Sequence, residues 1–115
     1  MNETIKAVRI MADLCADGVW SASSYIPDST MEGLRVSEAL WARIQDWQAW
    51  HDSQIRCGGK DPDFDLVGFV REGYAQARAV KAELPDWIVL YADEILLNQA
   101  LDNEITGTSW TVEIT

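Results

Sequence analysis

The chain has 115 residues, 48% of them hydrophobic and 24% charged, a composition that is typical of globular proteins and excludes a disordered chain. Its 19 acidic and 9 basic residues give a net charge of −10, which repels nucleic acid and anionic lipid and so argues against direct binding of either. We expect a single domain over residues 1–115, and no apolar run reaches the length of a membrane span.

The N-terminus lacks the basic segment, apolar core and cleavage site of a secretory signal, so we expect a cytoplasmic protein. Cys15 and Cys57 make one possible pair, far short of a disulfide framework. In a reducing compartment both should be thiols.

The first predicted element is a largely buried strand over residues 5–13. Residues 16–35 contain two glycines, a proline and several hydroxyl residues, which predict a long connection with a short strand around residues 19–25. A helix should then run from the N-cap Ser37 to about Arg56. Its apolar stripe recurs at spacings of three and four residues and comprises Leu40, Ile44, Trp47, His51 and Ile55.

A second helix is predicted to begin after the N-cap Asp65 and to end at Pro85. The small residues Gly73 and Ala77 on its apolar face should allow another backbone to approach. Residues 86–93 are rich in β-branched and aromatic side chains and predict a strand, residues 94–101 a short helix, and the last residues an edge strand.

This order of elements predicts an α/β two-layer sandwich, in which a two-helix crossover packs on a small mixed sheet. If the strands near Val8 and Val89 are parallel neighbours, their carboxyl ends lie at one edge of the sheet. That edge is where open α/β sheets usually bind ligands, and there Asp13 and Asp17 would approach Asp93 and Glu94.

These four acids could hold Mg²⁺, could transfer protons, or could form a solvated rim. No phosphate-binding loop, dinucleotide fingerprint, HExxH or EF-hand pattern accompanies them, so we predict neither a cofactor nor a metal. Cys15 with His51 could form a nucleophile and base, but His51 lies in the apolar stripe of its helix, which favours packing of the ring in the core.

The second half of the chain is strongly acidic. Residues 61–115 hold 11 acidic and 3 basic residues, and no Lys or Arg follows Lys81. The acidic tail, residues 82–115, therefore projects a negative electrostatic field, which serves either solubility or the binding of a basic partner. Its acidic residues are Glu83, Asp86, Asp93, Glu94, Asp102, Glu104 and Glu113.

Six tryptophans are many for a chain of this length, and most should pack in the core or at its margin. Trp20, in a loop, and Trp110, on a terminal strand, are the two that we consider as anchors for a partner, with simple packing as the alternative.

Three stretches, VRIMADLCADGVW, LRVSEALWARIQDWQAWHD and GFVREGYAQARAVKAELPDWIVLYADE, resemble a family of small bacterial proteins. Its members share an IRLMAD-like first strand followed by Trp, a helix ending in HD or YD, and a VxYxDE strand. The resemblance covers about residues 7–94 and implies fold and bacterial origin. Where this chain reads LCADGVW, relatives often read YGCxPLW, and residues from Ile95 onward form an extension. Small acidic proteins of this type are similar in size and charge to immunity proteins that neutralise bacterial toxins.

Our leading hypothesis is therefore a non-enzymatic immunity protein that binds a basic toxin domain, a nuclease, and blocks its substrate site. The predicted contact residues are Asp13, Asp17, Trp20, Asp93, Glu94, Asp102, Glu104 and Trp110. The alternatives are a metal-dependent enzyme that uses the acidic edge, a nucleic-acid mimic of phage origin, and a housekeeping interaction domain.

Overall fold

The structure is a computed structural model that describes residues 6–12, 18–21, 35–56, 59–60, 62–102 and 110–115. Within these ranges the chain forms three helices and six strands. In chain order they are β1 (Ala7–Ile10), β2 (Val19–Ser21), α1 (Glu38–Ser53), β3 (Ile55–Arg56), β4 (Gly59–Lys60), α2 (Leu66–Glu83), β5 (Ile88–Ala92), α3 (Glu94–Asp102) and β6 (Thr111–Ile114).

Four of the strands form one mixed sheet in the order β2-β1-β5-β6. The central pair, β1 and β5, is parallel, with Val8 opposite Val89, whereas β2 and β6 are antiparallel to their neighbours. The chain passes from β1 to β5 through α1 and α2. The predicted two-layer sandwich of a small mixed sheet and a two-helix crossover is therefore confirmed, as is the position of β6 at an edge of the sheet.

The core lies between the helices and one face of the sheet. Alternate residues of the strands point to it, because successive side chains of a strand point to opposite faces. These core residues of the sheet are Val8, Ile10, Val89, Tyr91 and Ile114. From α1, the indole of Trp47 stacks on Phe69 of α2 with ring centroids 4.6 Å apart and donates its N–H to the Phe69 carbonyl. This one side chain therefore ties α1 to α2 by ring contact and by a hydrogen bond.

Both helix starts agree with the sequence analysis. The Ser37 hydroxyl accepts a hydrogen bond from the Leu40 N–H, and the Asp65 carboxylate accepts one from the Gly68 N–H. Each cap satisfies a backbone donor that the first turn of a helix leaves without an internal partner.

The predicted end of α1 at Arg56 is wrong. The helix ends at Ser53, and Ile55 and Arg56 instead pair with Lys60 and Gly59 as a short antiparallel ladder. Ile55 fits the spacing of the apolar stripe, so helical periodicity alone could not separate it from the helix.

Gly73 of α2 does accept a close neighbour, but the expectation of a second backbone is wrong. The ring and hydroxyl of Tyr91 occupy the space that a Cβ at position 73 would need. The missing side chain thus lets a bulky tyrosine of β5 lie directly against α2.

Candidate partner-binding edge

The carboxyl ends of β1 and β5 meet at one edge of the sheet, as their parallel pairing requires. Beyond β5 the chain turns directly into α3, and the Asp93 N–H donates to the Trp110 carbonyl just before β6. Beyond β1, the Trp20 indole N–H donates to the Met11 carbonyl at 2.8 Å. Four of the predicted contact residues, Trp20, Asp93, Glu94 and Trp110, are therefore placed at or beside this edge.

Asp93 has a structural role at this edge. Only 7% of the residue is exposed, and its Oδ1 accepts hydrogen bonds from the Ile95 and Leu96 N–H groups, so it is the N-cap of α3. Its Oδ2 accepts a hydrogen bond of 2.6 Å from the hydroxyl of Tyr74 on α2. Burial and this bond to a carboxylate raise the pKa of Tyr74 to about 12, so the phenol stays protonated and keeps donating.

His51, in the last turn of α1, lies between two carboxylates. Its Nδ1 is 3.0 Å from Asp52 Oδ1 and its Nε2 is 3.8 Å from Glu94 Oε1. The ring is buried and lies 5.9 Å from the Phe69 ring, which confirms the predicted core packing with one nitrogen bonded locally. Gln48 Nε2 donates to Asp52 Oδ1 at 2.9 Å and so fixes that carboxylate on α1.

Tyr91 of β5 is a buried phenol close to the carboxylates of the edge. Burial raises the pKa of its phenol, and the nearby carboxylates of Glu94 and Asp93 add to the rise. Its hydroxyl makes no hydrogen bond to any residue that the structure describes. Tyr74 lies over it with ring centroids 4.5 Å apart. Tyr91 is part of the core, so this pair of phenols connects the core to the acidic edge.

Both candidate anchors, Trp20 and Trp110, are half-buried. Each therefore keeps part of its surface available to a partner. Leu96, in the first turn of α3, is 38% exposed and adds an apolar side chain near the same edge.

The other four predicted contact residues have no described side chains. Asp13, Asp17 and Glu104 lie outside the described residues, as do Cys15 and Cys57. Asp102 is the last residue of α3, but its side chain is not described.

The acidic tail does not form one patch. Glu83, at the end of α2, accepts hydrogen bonds from the Ser37 N–H and hydroxyl, so it closes the start of α1. Asp86 precedes β5 at the opposite edge of the sheet, and Glu113 lies opposite Leu90 within β6. Of the tail carboxylates whose side chains are described, Asp93 and Glu94 are those at the carboxyl edge.

Asp52 belongs to this edge, although the sequence analysis did not select it. Its side chain is 31% exposed and that of Glu94 is 17% exposed, so both carboxylates reach the surface on either side of His51. The sequence did contain an indication of this, because Asp52 is part of the HD that ends one of the resembling stretches. In the structure this HD lies beside the DE, Asp93 and Glu94, that ends another.

Within the described ranges, no group of three or more histidine, cysteine, aspartate or glutamate side chains is arranged to hold a metal ion. Among the same residues, no helix has both the length and the apolar character needed to cross a bilayer. At its surface the edge offers the carboxylates of Asp52 and Glu94 and the partly exposed indoles of Trp20 and Trp110. These groups can bind a cationic and apolar protein surface by charge and by contact area.

Comparison with known proteins places most of the chain in one protein family. No curated protein matches the chain. A family profile described as Serratia CdiI immunity protein-like matches residues 6–94, about three quarters of the chain, from the start of β1 to the first residue of α3. The match ends at Glu94, so it contains the two sequence stretches, His51–Asp52 and Asp93–Glu94, that meet at the carboxyl edge. The chain therefore belongs to the Serratia CdiI immunity protein-like family, and this membership supports a toxin-inhibiting immunity role.

Proposed function

We propose that this protein is an immunity protein that neutralises a basic toxin domain, a nuclease, by covering the surface where that domain binds phosphates. Binding alone provides the protection, and no group of this chain turns over a substrate. The observation that carries the proposal is the meeting of Asp52 and Glu94 around His51 at the carboxyl edge of the sheet, in a chain of an immunity protein-like family.

Charge supports a basic partner. The net charge of −10 attracts a cationic domain over long range, and the edge carboxylates then meet its Lys and Arg side chains at contact distance. A nuclease presents such cations because it must bind the phosphates of its substrate. An acidic protein on that surface excludes the nucleic acid both sterically and by repulsion.

Apolar contact supplies the affinity that exposed ion pairs lack, since such pairs contribute only about 0–1 kcal/mol each. Trp20, Trp110 and Leu96 are partly exposed apolar side chains at or beside the carboxyl edge, and tryptophans are frequent centres of binding energy. Asp93 contributes indirectly, because it caps the helix that carries Glu94 and Leu96.

We expect a toxin domain to be encoded immediately upstream of this chain's gene, and the test uses that domain. The purified domain is assayed on plasmid DNA and on transfer RNA, with and without increasing amounts of this protein. We expect cleavage of one of these substrates and its complete loss at one equivalent of this protein. A neighbouring toxin that cleaves neither, or cleavage that persists at excess, would contradict the proposal.

A further inference from the structure

Helix α2 carries a second charged surface, of opposite sign to the protein as a whole. Its outward stripe consists of Val67, Arg71, Arg78 and Ala82, all exposed, at spacings of four, seven and four residues that return to the same side of a helix. Val67 is 58% exposed, more than Ile88 or Leu96, the other large exposed apolar residues of the described chain.

The acids of α2 do not compensate these arginines, because both are turned towards α1. Glu72 forms a two-pronged ion pair with Arg43, with both N···O distances 2.8 Å. Glu83 accepts hydrogen bonds from Ser37. Among the described residues, neither Arg71 nor Arg78 forms a salt bridge with a carboxylate.

Arg78 is also held in place. Its guanidinium lies 5.7 Å from the centre of the Tyr74 ring, and Tyr74 is itself fixed by its bond to Asp93. Arg71 is exposed and lies one residue before Glu72, so the two positions are about 100° apart around the helix axis. Seven residues separate the two arginines, so their Cα atoms are about 10 Å apart along the helix.

We propose that this stripe, Val67–Arg71–Arg78–Ala82, docks an acidic helix of a protein partner, on a surface of α2 that carries the opposite charge to the carboxyl edge. Carboxylates seven positions apart on the partner helix match the spacing of Arg71 and Arg78. Between them Ala75 lies beside the stripe, and its small side chain lets a second helix approach closely. Val67 and Ala82 extend the contact with apolar surface at its two ends.

A phosphate backbone is a poorer occupant than an acidic helix. Two guanidinium groups release few counterions, and the net charge of −10 repels a polyanion as a whole. A short helix with two carboxylates carries much less charge and buries apolar surface as well.

The probe is a fluorescein-labelled alanine-rich peptide of about 20 residues that has two glutamates seven positions apart. Its fluorescence anisotropy is followed as the full chain is added, up to about 1 mM, in about 0.1 M salt. The same peptide with glutamines, and a single-stranded oligothymidine, serve as comparison probes. The variant is Arg71→Gln/Arg78→Gln, and the control is Lys6→Gln/Arg35→Gln, which removes two exposed cations elsewhere.

We expect saturable binding of the glutamate peptide, weakened about fivefold or more in Arg71→Gln/Arg78→Gln and changed less than about twofold in the control, because an exposed ion pair contributes up to about fivefold in affinity. Equal binding to both variants, equal binding of the glutamine peptide, or no binding would overturn the proposal. Stronger binding of the oligothymidine than of the glutamate peptide would also overturn it, and would identify a phosphate backbone as the ligand of the stripe. Self-association of the wild-type chain that the Arg71→Gln/Arg78→Gln variant abolishes would replace the foreign helix by a second copy.

Discussion

The hydroxyl of Tyr74 donates to the Oδ2 atom of Asp93, whose other oxygen caps α3. One buried carboxylate thereby joins α2, the end of β5 and the first turn of α3. The position of Glu94 at the edge depends on this junction, because Glu94 is the first residue of the helix that Asp93 caps.

Removing this hydroxyl should loosen the junction. We expect Tyr74→Phe to lower the free energy of unfolding by about 1 to 2 kcal/mol, because a carboxylate that is nearly inaccessible to water loses a hydrogen-bond donor. Urea unfolding measures the change. Asp93→Asn keeps an oxygen for the cap but loses the acceptor for Tyr74, so the double variant should cost less than the sum of the two single changes. If the losses in the free energy of unfolding of the two single variants simply add in the double variant, the Tyr74–Asp93 hydrogen bond contributes nothing to stability.

Position 73 should reverse the usual preference of helices for alanine over glycine. We expect Gly73→Ala to destabilise the protein by about 1 to 3 kcal/mol, because the added methyl group collides with the Tyr91 ring. Thermal and urea unfolding measure it. At the exposed position Ala49 inside α1, the change to glycine should instead cost about 1 kcal/mol. A Gly73→Ala protein as stable as wild type would show that Tyr91 is free to move away.

The Arg43–Glu72 pair should make stability depend on acid. The bond to Arg43 lowers the pKa of Glu72 from its ordinary value of 4.5, so the folded state binds that proton less readily than the unfolded state. The stabilisation is therefore present above about pH 4.5 and is lost as pH falls through the lower folded value. Glu72→Gln should be less stable than wild type at neutral pH, and the difference should shrink below about pH 4.

Arg43→Gln provides the matched control for that experiment, because it removes the other partner of the same pair. Its deficit in the free energy of unfolding should shrink over the same acidic range. If the difference in the free energy of unfolding between wild type and either variant stays constant from about pH 3 to pH 7, the charge of Glu72 is not the source of the stabilisation.

Much of the fold could be predicted because local signals and tertiary packing agree. Ser37 and Asp65 are N-caps in the sequence and in the structure, and the β-branched run near Val89 became the central strand. The end of α1 could not be predicted, since Ile55 suits both a helical stripe and a strand. The contact between Gly73 and Tyr91 could not be predicted either, because the two residues become neighbours only when α2 packs on β5.

The site was predictable in position but only partly in content. Parallel strand ends brought Asp93 and Glu94 to one edge, as strand order allows one to infer. Whether a carboxylate is exposed or engaged depends on neighbours from other elements, so Asp93 looked like surface charge in the sequence and is a buried cap in the structure. Asp52 was missed because its proximity to Glu94 arises only through the packing of α1 against the rest of the fold.

The central claim is that carboxylates at the carboxyl edge meet positive charge on the toxin. The most direct test is the association rate with the toxin domain, measured by stopped flow at low and high salt for the variant Asp52→Asn/Glu94→Gln. Asp86→Asn/Glu113→Gln is the control, because it removes the same charge at the opposite edge and on β6. We predict at least about a tenfold slower association of the wild type in high salt and a markedly weaker salt dependence in the edge variant alone. A rate that salt does not change, or that both variants change equally, would contradict the account.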